Sequence, residues 1–375
     1  MALIDGDTAP AEEPPASEQV PTAARQAAVP PWAVKVVSAL AGLFLFILAL
    51  ELLKDGARGY GSDIMRLLSV SGPVNSLGFG WLLAYVFLSG SPVAAIAITF
   101  FASGTIDAVQ TFTMITGSRL GASFIVLFVG FVYYLRGYQR SASVAIGVLA
   151  LLTTAAIYLP ALALGYWVLT SGMLGPVSVS AEAPLASFID VIYGPILETI
   201  KAWGLPGWAI LGAGVASLVA AFHLLDRALP EVSGDQSGFG QIGRLIYRPM
   251  AMFVLGMAVT SVTLSVSVSL SLLVPLSARG LVRRENTLPY IMGANITTFI
   301  DTLVAALIVG GSPAFVIVLV EMLSVALLSI AVLLLFYRSF QRAILRAQEL
   351  IIHSNRTLGV FLCIMLLVPL LLLLI

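Results

Sequence analysis

The sequence predicts an all-α polytopic membrane protein: two inverted repeats, each with a re-entrant helical hairpin, and about seven full spans. Three observations predict it. Of 375 residues, 59% are hydrophobic and only 10% charged. Two apolar stretches, 75–103 and 251–279, are broken in the middle by serines. Those two stretches also align with each other, without a gap, when the chain is shifted by 176 positions.

A water-soluble chain of this length needs far more charge to cover its surface, so lipid is the solvent for most of it. Basic and acidic residues balance at 19 each, which argues against nucleic acid as a partner. Cys363 is the sole cysteine, which excludes internal disulfides and cysteine-based metal sites. His223 and His353 stand far apart without ligand spacing and read as helix-end or interfacial imidazoles. Residues 1–31, rich in Pro, Ala and Glu, are expected to be a disordered N-terminal tail. The tail opens acidic rather than basic, so it does not read as a signal peptide, and the first apolar helix is expected to stay as an anchor.

Crossing a core of about 30 Å takes roughly 20 apolar residues. Such runs occur near 33–53, 111–135, 142–170, 205–225, 287–309, 313–337 and 357–375. The stretch 179–203, with Asp190, Glu198 and Lys201, reads as interfacial. So does 338–356, where Arg338, Arg342 and Arg346 share one helix face. The arms of 75–103 and 251–279, on either side of Ser89-Gly90-Ser91-Pro92 and of Ser265 to Ser269, reach only about 18–21 Å as helix, too short to cross. A re-entrant hairpin fits, its open backbone lining a watery cavity; a single tilted span with packing serines is the other reading. Charge bias favours hairpins. With both hairpins returning to the side they left, every basic residue except Lys54, Arg58, Arg66, Lys201 and the in-span Arg119 lies on the N-terminal side. That side is then cytoplasmic.

In the shifted register Gly80 meets Gly256, Ser89 meets Ser265, Ser91 meets Ser267, Gly104 meets Gly280 and Gly117 meets Gly293. Each unit follows a span, one running outward and the other inward, so the repeats are inverted, with a site expected near the midplane where they meet. The resulting domains are the tail 1–31, repeat 1 over 32–140, a linking span and interfacial segment over 141–204, repeat 2 over 205–310, and C-terminal spans over 311–375.

These residues resemble the type II sodium–phosphate cotransporters and their bacterial branch. The likeness rests on GLFLFILALELLKDGARGYG (42–61), on Pro275-Leu276 and on Met292-Gly293-Ala294-Asn295-Ile296-Thr297-Thr298. It covers roughly 40–135 and 205–337. Family members carry a Gln-Ser-Ser-Ser tip in each repeat, and the resemblance implies that this Gln and the serines bind phosphate and sodium. Here both glutamines are leucines, Leu88 and Leu264, and the first Asn-containing turn has become Gly117-Ser118-Arg119-Leu120-Gly121. Asp301 stands where the family has Thr.

The candidate substrate and ion residues are therefore Ser89, Gly90, Ser91, Ser265, Ser267, Ser269, Asn295, Thr297 and Thr298, with Arg119 and Asp301. Hydroxyls and free backbone N–H groups suit sodium or an oxyanion, although small residues also serve close packing. A charge inside a span costs on the order of 2.5–3.5 kcal/mol and by default marks function. Arg119 and Asp301 thus read as an anion contact with a cation or proton site, as a structural pair tying the repeats, or, for Arg119, as a snorkelling side chain. Glu51 reads as solvated beside Lys54; Glu321 lies deeper. No nucleophile–base pattern, phosphate loop or metal motif occurs in the sequence, so an enzyme is not expected. The resemblance implies a symporter of phosphate or a related inorganic anion, driven by sodium or a proton and free of other cofactors. Such a protein belongs in the bilayer of a bacterial inner membrane, where it could pair with a second copy. A different anion held by Arg119, or a non-transporting scaffold or regulator, remain the other readings.

Overall fold

The computed structural model describes residues 31–68, 70–135, 140–173, 182–228, 248–271, 273 and 282–375. Of the expected tail, 1–30 lie outside these, and Pro31 already opens the first helix. Every regular element described is a helix. They are α1 (Pro31–Leu67), α2 (Pro73–Phe87), α3 (Ser91–Ala102), α4 (Ala108–Leu135), α5 (Arg140–Thr170), α6 (Glu182–Ala202) and α7 (Gly207–Ala228). Then follow α8 (Pro249–Thr263), α9 (Val266–Ser271), α10 (Arg284–Thr297), α11 (Ile300–Ala305), α12 (Gly311–Ala331), α13 (Tyr337–Ile352) and α14 (Asn355–Leu374). Short π-helical turns, Ala306–Gly310 and Val332–Phe336, lead into α12 and α13.

The chain is an all-α polytopic membrane protein. Six described helical runs are long and apolar enough to cross a bilayer: Ala33–Leu67, Ala108–Phe128, Val144–Thr170, Gly207–Ala228, Arg284–Ile352 and Asn355–Leu374. The expected spans 287–309 and 313–337 both fall inside the one run Arg284–Ile352. A turn at Thr298–Phe299 and the positive φ of Gly311, 62°, interrupt that run.

The first helix continues well past residue 53, the expected end of its span. Packing holds the extension: a Cβ on Gly56 would come within 2.7 Å of the Leu211 backbone, and Gly61 sits as tightly against Thr105. Glu51 is thereby a mid-helix residue paired with Lys54 at 3.7 Å, and not a helix-end group. Helices α1 and α7 run antiparallel, since Gly42 abuts Leu225, Gly56 abuts Leu211 and Gly214 abuts Leu53. Lys201 of α6 reaches Asp55 of α1 at 2.7 Å.

Two helix–break–helix units share one set of local devices. Pro73 opens α2 and Pro249 opens α8, each near the N-terminus, where a missing N–H and a preset φ suit the first turn. Each helix ends in a left-handed leucine, Leu88 at φ 50° or Leu264 at φ 49°, whose N–H closes on the carbonyl four residues back. The following helices start at Ser91 and Val266. Helix α2 crosses α4, and α8 crosses α10, at glycine pairs so close that a Cβ would be 2.1 Å from a carbonyl oxygen. Gly80 faces Met114 and Gly117 faces Leu77; Gly256 faces Tyr290 and Gly293 faces Phe253. Both contacts of the second unit stand 176 positions beyond those of the first.

Helix α14 lies along α2, where Asn75 donates to the carbonyl of Leu373 at 3.1 Å and the Tyr85 hydroxyl to that of Met365 at 2.9 Å. Helix α13 buries Ile344 and Gln348, the latter donating to the carbonyl of Ala145 in α5 at 3.1 Å, and exposes Arg338, Arg342 and Arg346.

Candidate substrate and ion site

A cavity of about 910 Å³ opens between the two breaks. Ser89 and Ser91 line it from the first unit, Thr263, Ser265 and Ser271 from the second, Asp301 from α11, and His223 and Asp226 from the end of α7. The rest of its wall is largely apolar, with Phe46, Phe87, Leu88, Leu264 and Phe222 among the residues. Among the described residues its charged groups are two carboxylates, with no Lys or Arg. Such a wall attracts cations and repels a lone anion.

Asp301 sits where the cavity meets the protein interior, directly after the break between α10 and α11. Its Oδ1 accepts from the Thr302 hydroxyl at 2.9 Å and lies 3.7 Å from Arg119 Nη2. Its Oδ2 is buried with no hydrogen-bond partner among the described residues. The Ser91 hydroxyl stands beside this carboxyl.

Arg119 does not line the cavity. It is 2% exposed and is held by the Thr298–Phe299 turn and by α11. Nη1 donates to Thr298 Oγ1 at 3.3 Å, Nη2 donates to Thr302 Oγ1, and the guanidinium lies 4.9 Å from the centroid of the Phe299 ring. This cross-unit tie is what an ionised arginine needs in a dry interior.

Asn295 occupies the register position of Arg119 in the other unit and is buried just as deeply. Its side-chain amide donates to Thr154 Oγ1 of α5 at 3.1 Å, while its backbone carbonyl accepts from the Tyr158 hydroxyl at 2.9 Å. Thr297 donates to the carbonyl of Met257 at 3.0 Å. Ser269 accepts from Thr260 at 2.7 Å and shares a hydrogen bond with Tyr290 at 2.9 Å. Gly90 packs on the carbonyl of Ser118.

Of the expected site residues, the structure therefore gathers Ser89, Ser91, Ser265 and Asp301 around one cavity. Arg119, Asn295, Thr297, Thr298, Ser269 and Gly90 do not line it. The side chain of Ser267 lies outside what is described. Sequence reasoning missed Asp226 and His223 as cavity groups. Their spacing of three on the last turn of an apolar helix is the signal that could have found them. No group of three His, Cys, Asp or Glu residues able to hold a metal occurs among the described residues.

Residues 197–366 match the Na+/Pi-cotransporter family. That stretch is similar to Na+/Pi-cotransporter sequences. It runs from α6 to α14, so it contains the second helix–break–helix unit, Asn295, Asp301 and Glu321, and supports the resemblance drawn from the residues themselves. The first unit lies outside the match. Neither the curated proteins nor the solved structures give a match. Within the matched stretch, Asp226 and Asp301 are the carboxylates that line the cavity, and Arg119 reaches Asp301 from outside the matched residues.

Proposed function

We propose that this protein is a secondary transporter that carries phosphate or a related anion together with sodium, by alternating access around the cavity between the two breaks. The observation that carries this reading is the cavity itself, which both Ser-bearing breaks and Asp301 line. A scaffold with a decayed site would favour a dry, packed interface there. The antiparallel α1 and α7, which precede the two units, support reading those units as inverted repeats with re-entrant hairpins.

Charge orders the events. With Asp226 and Asp301 on its wall, the empty cavity draws a cation first. Sodium beside Asp301 takes oxygen ligands, for which the Ser91 and Ser265 hydroxyls and the Asp301 carboxylate are suited. Only the cation-loaded cavity then tolerates an anion, held by serine hydroxyls and the open N–H groups at the start of α3. Arg119 acts in this scheme as the tie between the units and not as the anion contact, in keeping with its burial. The resemblance points to a bacterial inner membrane, and the bias of basic residues to a cytoplasmic N-terminal side.

Uptake of labelled phosphate into proteoliposomes, with and without an inward sodium gradient, tests the proposal. Sodium-dependent accumulation is expected. Absence of uptake for phosphate and other oxyanions would overturn it.

A further inference from the structure

Glu321 is the only acidic side chain of α12, and it lies inside the protein with nothing bonded to it. The residue is 1% exposed, and neither Oε1 nor Oε2 has a hydrogen-bond partner among the described residues. The cavity reaches Asp301 but not Glu321. A buried carboxylate without donors is among the most unfavourable groups a protein interior can hold.

The neighbours' hydrogens are already committed. From α4, the Thr116 hydroxyl beside Glu321 donates to the carbonyl of Phe112 at 3.0 Å, which leaves its lone pairs free to accept. From α5, Tyr158 donates to the carbonyl of Asn295. The one nearby cation, Arg119, has its Nη1 and Nη2 engaged by Thr298, Thr302 and Asp301, and only its Nε is without a partner. Of the other elements packed on α12, α3 carries no titratable residue. Helix α10 carries Arg284 and Glu285 at its opposite end and Tyr290 bonded to Ser269, and α11 carries only Asp301. One cation therefore stands between two carboxylates.

We propose that Glu321 is a proton-binding site, and that its proton decides which carboxylate holds Arg119. With the proton bound, Glu321 is a neutral acid that donates to Thr116 Oγ1, and Arg119 stays with Asp301 as observed. When the proton leaves, the Glu321 carboxylate draws Arg119 through the unpartnered Nε. Asp301 is then left open to a cation from the cavity. A proton at Glu321 and a cation at Asp301 thus exclude one another. Only this last coupling rests on the transport reading.

Infrared spectroscopy of the full chain in liposomes tests the proton site without any transport. The wild type at neutral pH is expected to show a protonated-carboxyl C=O band that shifts in D₂O and is missing from Glu321→Gln. Glu321→Asp, which keeps a carboxyl, serves as a second variant and retains a band. A protonated-carboxyl band of equal strength in wild type and Glu321→Gln would overturn the proposal. In sodium-driven uptake, the wild-type half-saturation for sodium should fall as pH rises, by up to about tenfold per pH unit, the limit for one exchanged proton. Glu321→Gln should keep the weak, low-pH value throughout; an unchanged pH dependence in that variant would overturn the coupling. A band present in the wild type without any sodium-driven uptake would support the proton site and defeat the transport reading.

Discussion

Leu88 and Leu264 stand 176 positions apart and share a backbone conformation, φ 50° and ψ 30° in one, φ 49° and ψ 16° in the other. They are the only non-glycine residues with positive φ among those described. An L-residue in this region is disfavoured by roughly 1–2 kcal/mol. Both leucines hold it because the chain must leave one helix and enter the next within three residues.

Relief of that strain is measurable. Asn tolerates the left-handed region, and Leu88 is half exposed, so Leu88→Asn loses little packing. It is expected to stabilise the protein by about 1 kcal/mol in thermal unfolding. Leu88→Val, β-branched, is expected to destabilise it.

The same two positions test the chemistry. The resemblance places glutamine at both, and Leu88 and Leu264 both line the cavity. The double variant Leu88→Gln with Leu264→Gln should bind phosphate more tightly, at about 1 kcal/mol or roughly fivefold for each added hydrogen bond. Phosphate half-saturation in vesicle uptake reads it; no gain would show that the amides cannot reach the anion.

The glycine crossings bear on stability alone. Gly117→Ala and Gly293→Ala each force a methyl to within 2.1 Å of a carbonyl oxygen and should cost about 1–3 kcal/mol or more through helix displacement. Gly59→Ala is the control, since nothing lies within 4 Å of its added Cβ. That change should be neutral or stabilising by up to about 1 kcal/mol. Melting curves in detergent compare the three.

Arg119 and Asp301 should behave as a couple. Asp301→Ala leaves a buried guanidinium without its counter-ion and should destabilise by about 3–5 kcal/mol. Replacing both, with Arg119→Met and Asp301→Leu, should cost less than the sum of the single changes. Additive costs in the four-member cycle would mean that the 3.7 Å pair contributes no coupling.

Ser91 should matter to sodium and little to folding. Ser91→Ala removes one hydroxyl beside Asp301 and should raise the sodium half-saturation of uptake about five- to tenfold. Thermal stability should stay within about 0.5 kcal/mol. Unchanged sodium dependence would move the cation elsewhere in the cavity.

Much of the architecture is legible in the residues. Pro73 and Pro249, the serines after Leu88 and Leu264, and the glycine pairs Gly80–Gly117 and Gly256–Gly293 are local signals, because each acts through its own backbone or a neighbour in the same unit. The end of α1 was not legible. Residues 54–67 carry glycines and charges that read as a helix exit, and only contact with Leu211 and Thr105 keeps them helical.

The leucines at the breaks divide the two kinds of information. By itself, the sequence determined that this is a helical membrane protein with two like units, each broken after a leucine, since hydrophobicity and turn chemistry are properties of the chain itself. Which side chains meet was decided only by tertiary structure. Arg119 could face a cavity or a neighbouring helix from the same position in α4, and the placement of α10 and α11 turned it onto Thr298, Thr302 and Asp301. Asp226 and His223 joined the cavity for the same reason: helix packing, not spacing along the chain, brings distant residues within reach of each other.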